Sequence, residues 1–265
     1  MSYSQGIARF ADLFVSGAAQ GPDAATFLAP LCPPGSSVLD IGAGAGGTTF
    51  ALASRGVHVV ALEPDPEMYT VLLSRLALRP ELHEFAAPLP QPAGFAIPQT
   101  FDVVCSFAVI HLLQPAERLR LVRYALERAR GGAKVVLELP VASRARLIKP
   151  WQVVATRRLG TADIEFHSAM QPAGEGWWYT HWKFTTLLAG DPVDEVQRTF
   201  RWYPLTHAEA TDLLAEAGVV PNEEYGGYDR SAYVPDESRV RLIVAHVPRA
   251  QTSRRTKEPE CRIRK

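Results

Sequence analysis

A doubly wound α/β fold, built on a mostly parallel sheet, is what this chain predicts, and three observations carry the prediction. Short apolar runs recur at residues 36–41, 57–62, 101–106 and 133–139; segments of helical length separate them; and a glycine cluster, GAGAGG, sits where the first run ends and the first helix begins. Strands that are apolar on both faces need helices on both sides, the arrangement of a parallel sheet.

The elements follow in order. SSVLDI (36–41) forms the first strand and stops at Gly42, and Thr48 to Ser54 reads as a helix closed by Gly56. VHVVAL (57–62) is the second strand. Pro64 is placed at the opening of the next helix, PEMYTVLLSRLA, since a missing N–H costs nothing in a first helical turn. Residues 82–100 hold several prolines and give no clear element. FDVVCS is a buried strand, Pro115 opens the helix AERLRLVRYALERA, Gly131 and Gly132 end it, and AKVVLEL is the next strand. Between 141 and 205 the alternation is lost, and Trp177 to Phe184 reads as one strand with aromatics on both faces: Trp178, Thr180, Trp182 and Phe184 on one, Trp177, Tyr179, His181 and Lys183 on the other. Thr206 and Glu209 form a capping box for HAEATDLLAEA, Gly218 ends that helix, and RVRLIVAHV is the last strand. The basic tail after Pro248 is expected to be disordered.

Lys plus Arg and Asp plus Glu each number 28, so the net charge is zero. A large nucleic-acid surface would need a basic excess. Cys32, Cys105 and Cys261 form no paired spacing, which argues against a disulfide framework or a metal site and for a reducing compartment. The opening MSYSQGIARFADLF lacks the apolar core of a signal peptide, and no apolar run has the roughly 18 residues of a membrane span. A cytoplasmic protein with no membrane partner is expected.

The chemistry centres on VLDIGAGAGG. Gly42, Ala43 and Gly44 let backbone approach a ligand, and the helix beyond offers free N–H groups. Glu63, at the end of the second strand, can accept hydrogen bonds from both hydroxyls of a ribose. Both features suit a dinucleotide as well as a sulfonium cofactor. Asp40 separates the two, because an acid two residues before Gly42 would repel a pyrophosphate but tolerates an ammonium or sulfonium.

These segments resemble the class I S-adenosylmethionine-dependent methyltransferases of the small-molecule type. VLDIGAGAGG is similar to their first motif, ALEPDPEM to the end of the second strand, FDVVCSFAVIHLL to the fourth-strand motif, and YSQGIARFADLF to the N-terminal arm. The resemblance covers most of residues 3–247. It implies a Rossmann-like, seven-stranded sheet, mostly parallel with a reversed last strand. It also implies five segments: a helical lid arm (1–34), the cofactor-binding core (35–140), an inserted aromatic-rich segment on the substrate side (141–205), a C-terminal helix with the last strands (206–248) and the tail (249–265). S-adenosylmethionine, leaving as S-adenosylhomocysteine, would then meet Asp40, Gly42, Ala43, Gly44, Glu63, Pro64, Phe107 and the arm's Tyr3, where Phe14 also lies. One position departs from the pattern: the acid that reads adenine after the third strand is replaced by Ala86 and Ala87.

His111 follows the fourth strand and is the candidate general base, its ordinary pKa being close to operating pH; the alternative is a histidine that hydrogen-bonds the backbone and shapes the pocket. Glu138, Trp178, Trp182 and Tyr228 are expected around a small-molecule acceptor, with Asp229 beside them, in a monomer or homodimer. No metal ligand set is expected. Alternatives are a methyltransferase acting on a macromolecule, an NAD-dependent oxidoreductase and a cofactor-binding fold without catalysis.

Overall fold

The structure is a computed structural model that describes residues 6–14, 23–141, 149–235, 237–238 and 240–248. Tyr3 and the tail 249–265 lie outside the described residues.

Seven strands form one sheet: β1 (Ser37–Ile41), β2 (His58–Leu62), β3 (Ala86–Leu89), β4 (Phe101–Ser106), β5 (Ala129–Leu139), β10 (Glu223–Tyr225) and β11 (Arg241–His246). Their order is β10-β11-β5-β4-β1-β2-β3. β5, β4, β1, β2 and β3 run parallel, whereas β11 is antiparallel to β5, the reversed strand expected from the sequence. Helices cover both faces. On one side α5 (Pro115–Arg128) and α6 (His207–Ala217) bury Leu121, Val122, Leu213 and Leu214; on the other α2 (Ala24–Leu28) and α3 (Gly47–Ala53) bury Phe27, Leu28 and Leu52, and α4 (Pro66–Ala77) adds Leu72 and Leu76 beside them. A short helix, α1 (Ala11–Phe14), belongs to the N-terminal arm.

The chain order reverses between β1 and β4. In such a sheet the crevice outside the carboxyl ends of these two strands is where ligands bind.

Three local expectations are corrected. Pro66, rather than Pro64, opens α4, because Asp65 is the N-cap and its carboxylate accepts from the N–H groups of Glu67 and Met68. Gly131 and Gly132 do not end α5. The helix stops at Arg128 and these glycines lie inside β5, where a register shift against β4 and a φ of 88° at Gly132 make a bulge that only the partner strand dictates. The unread stretch 82–100 holds β3, so Ala86 and Ala87 lie within a strand, paired with Val59 and Val60, and the strand's carboxyl end falls after Leu89.

The stretch that lost the alternation is a second sheet. β6 (Lys149–Leu159), β7 (Ala162–Gly174), β8 (Trp177–Leu188) and β9 (Asp191–Trp202) form an antiparallel meander inserted between β5 and α6. Trp177 to Phe184 is a strand as read, and it continues to Leu188. Phe184 stacks on Phe10 of the arm at 4.6 Å, and Phe14 packs against Phe166 and Phe184.

Candidate functional site

The loop after β1 is tied to the end of β2. The N–H groups of Gly42 and Ala43 both donate to the carbonyl of Leu62, at 2.8 and 3.0 Å. The N–H of Gly44 donates to Glu63 Oε2 at 2.7 Å, while Glu63 Oε1 accepts from the N–H of Asp65 at 2.8 Å. One carboxylate thus joins the loop to the start of α4. Gly42 has a φ of 79°, and a Cβ on it would stand 2.2 Å from Val109 Cγ2. Gly44 has a φ of 57° with nothing within 4 Å of a Cβ, so the loop turns an open face outward at this residue. Gly46 caps α3 without a side chain, leaving first-turn N–H groups of the helix unspoken for by a cap.

Asp40 stands behind the loop. It is 3% exposed, accepts from Thr49 Oγ1 at 2.7 Å, and burial pushes its carboxyl up to about 6. It therefore holds the loop to α3 rather than reaching outward. Burial also raises Glu63, against the lowering effect of its two backbone donors, and the charges of Asp65 and Asp40 raise it further. Pro64 bridges Glu63 and the α4 cap. The arm closes over this rim: the N–H of Gly6 donates to Glu67 Oε2 at 2.7 Å, and Ala8 is buried against Met68, with Ala45 of the loop packed beside them.

At the carboxyl ends of β4 and β5 a second group forms. Glu138 Oε2 accepts from the N–H of Ala108 and from the hydroxyl of Tyr228, each at 2.8 Å. Burial raises the Glu138 carboxyl, and burial together with Glu138 raises the Tyr228 phenol. Phe107 packs against Tyr228 at 6.1 Å. Asp229 stays at the exposed loop tip, where it accepts from the N–H of Ser231.

His111 lies where the meander returns to the core. Its carbonyl accepts from the N–H of Tyr203 at 2.9 Å, and its ring meets Trp202 edge-on at 5.7 Å. Nδ1 is enclosed and has no hydrogen-bond partner among the described residues. Burial, helped by the Arg118 guanidinium, lowers the imidazole to about 3. It therefore stands neutral throughout the physiological range, not poised near 7 as its ordinary value suggests. Cross-strand pairing places Trp178 with Trp202, Thr180 with Phe200, Trp182 with Arg198 and Phe184 with Val196. These residues share the meander's inner face, which runs from the arm at Phe184 to His111 at Trp202. Trp178 and Trp182 thus lie on one wall, as read from the sequence, while Arg198, Phe200 and Trp202 escaped that reading because β9 shows little aromatic density.

Residues 39–135 match the family model of a methyltransferase domain. No curated protein sequence matches the chain. Among solved structures, the chain is similar to the CcbJ methyltransferase of Streptomyces caelestis, with 23% identity, 94% of this chain and 98% of that chain covered, and a TM-score of 0.75. It is also similar to CalS10, an amino pentose methyltransferase of Micromonospora echinaspora (20% identity, 90% and 96% covered, TM-score 0.67). KedS8, a sugar N-methyltransferase of Streptoalloteichus sp., matches at 18% identity, with 90% and 92% covered and a TM-score of 0.66. These likenesses show that the fold is shared over most of the chain, beyond the residues that the family model matches. No helix among the described residues is long and apolar enough to cross a membrane.

Proposed function

We propose that the chain transfers a methyl group from S-adenosylmethionine to a nitrogen or oxygen of a small molecule, in the manner of secondary metabolism. The observation that carries this reading is an acid tied to an open glycine loop: Glu63 accepts from Gly44, whose backbone faces open space, with Asp65 and Glu67 on the segment that follows and Asp40 buried behind the loop. A pyrophosphate would be repelled there, which disfavours an NAD-dependent oxidoreductase, whereas an ammonium or sulfonium is attracted. The zero net charge disfavours a nucleic-acid acceptor. The names of CalS10 and KedS8, which act on sugars, favour a small acceptor.

When bound, S-adenosylmethionine supplies an electrophilic methyl on sulfur and departs as S-adenosylhomocysteine. The open backbone at Gly42, Ala43 and Gly44 would hold its amino-acid half, and Glu63 with Pro64 its ribose. Phe107 and the arm with Tyr3 would close the crevice. Glu138, Tyr228, Trp178 and Trp182 would surround the acceptor. Alignment and exclusion of water do most of the work in such a transfer. His111, being neutral, can accept a hydrogen bond from an acceptor hydroxyl or amine and orient its lone pair, but burial makes it a poor store for the proton. A cytoplasmic location and a monomeric or homodimeric state belong to the same reading.

Calorimetric titration with S-adenosylmethionine, S-adenosylhomocysteine and NAD tests the cofactor. Binding of NAD alone would overturn the reading. A panel of amines and hydroxylated small molecules, read by S-adenosylhomocysteine release, tests the acceptor.

A further inference from the structure

We infer that Arg198 is the anion-recognition residue of the cleft between the core and the meander, and that it takes a carboxylate. The inference rests on the cofactor reading above and goes beyond it to an assigned contact.

Four observations place it. Arg198 pairs across strands with Trp182, so its side chain shares the inner face of the meander with Phe184 and Trp202. It stands on β9 between Val196, which packs in the arm's cluster, and Trp202, at His111. Its Nε is enclosed and has no partner among the described residues. Among the described residues Nη1 donates only to the carbonyl of its neighbour Gln197, at 2.8 Å, and Nη2 lies 3.5 Å from where a Cβ on Gly6 would stand.

Among the described residues, acids on β9 and at the start of α4 have partners of their own. Asp194 pairs with Arg9 at 2.7 Å, Glu195 with Lys183 at 3.3 Å, and Glu67 accepts from Gly6. Trp182 and Phe200, in edge-on contact at 4.9 Å, make the surroundings apolar. A guanidinium walled by aromatics and lacking an acid is costly unless a ligand supplies one. Its planar fork suits a carboxylate. Gly6 stands beside Arg198 and donates to Glu67, while Ala8 packs with Met68 and Ala45 of the glycine loop, so the arm links Arg198 to the rim of the crevice where the cofactor's amino-acid half is placed. The carboxylate therefore belongs either to that half or to the acceptor.

Calorimetry on the full chain separates the two. S-adenosylhomocysteine carries the carboxylate, whereas 5′-methylthioadenosine shares the nucleoside and thioether but has none. If the cofactor is the source, Arg198→Met weakens S-adenosylhomocysteine about tenfold, the worth of one charge-assisted contact, and leaves methylthioadenosine unchanged. If the acceptor is the source, S-adenosylhomocysteine binds the variant as before. Benzoate then binds the wild type saturated with S-adenosylhomocysteine, and this binding is lost in the variant. Arg198→Lys should restore part of either loss, and equal thermal midpoints exclude misfolding. Unchanged binding of both S-adenosylhomocysteine and benzoate in Arg198→Met would overturn the assignment. A wild type that binds neither nucleoside sinks the cofactor reading instead, and benzoate titration of the free chain then decides Arg198 on its own.

Discussion

The central sheet and the meander are built on opposite plans. In β1 every residue after Ser37 is buried, and β4 is buried at all but Asp102. In β6 and β9 most residues are exposed, and the meander is fastened to the rest by a few contacts: Phe184 on Phe10, Tyr203 to the carbonyl of His111, and Arg9 to Asp194. The packed sheet fixes the glycine loop and Glu63 to within a hydrogen bond. The thin sheet supplies a wall whose residues can change without unfolding the core. A fold divided this way keeps one cofactor while varying the acceptor.

The largest expected effect breaks the core side of this division. Gly42→Val drives a Cβ into Val109 and forces a positive φ, so it should cost more than about 3 kcal/mol and abolish cofactor binding. A thermal midpoint near that of the wild type would show that the loop yields.

Two buried groups should next give opposite pH slopes. Asp40 is raised to about 6 in the folded state, so the native protein binds the extra proton between about pH 4 and 6 and loses stability as pH rises through that window. His111 is lowered to about 3, so the unfolded chain binds the extra proton between about pH 3 and 6.5, and stability is lost as pH falls. Each slope is about 1.4 kcal/mol per pH unit at most, and they oppose one another between pH 4 and 6. Asp40→Asn should therefore become steeply acid-sensitive, while His111→Asn should become more stable toward pH 4. Denaturant melts across this range check the signs, and parallel curves would refute both.

Glu63→Ala and Gly44→Val should each weaken S-adenosylhomocysteine at least about tenfold, or 1.4 kcal/mol. Gly44→Val meets no clash but must hold a β-branched residue at a φ of 57°, so it should cost about 1–2 kcal/mol, less than Gly42→Val, which adds a collision. On the meander side, Trp202→Ala should raise the acceptor KM about fivefold and keep cofactor affinity, because its ring faces His111 rather than the glycine loop. A joint loss would erase the division. The smallest effect is Arg9→Ala, whose ion pair with Asp194 is half exposed and should be worth less than about 0.5 kcal/mol.

The cofactor half was legible because it depends on local chemistry. Uniformly apolar strands, a glycine loop and an acid at the next strand end follow one another within residues 36–63, and the structure brings them together through Leu62 and Glu63. β3 was missed because AAPL is short and carries a proline, tolerable on an edge strand. The glycines of β5 mimicked a helix stop because a bulge and a cap ask for the same residue. The pairing of Glu138 with Tyr228, 90 residues apart, left no trace in either segment.

By itself, then, the sequence determined the layered α/β core, the cradle after β1 and the aromatic strand Trp177–Phe184, since each rests on neighbours in the chain or on a simple burial period. Tertiary structure alone decided which face of that strand lines the cleft, that Arg198 stands there without an acid, and that His111 is neutral. Those facts are set by solvent exclusion and cross-strand register, quantities that arise only when distant segments pack.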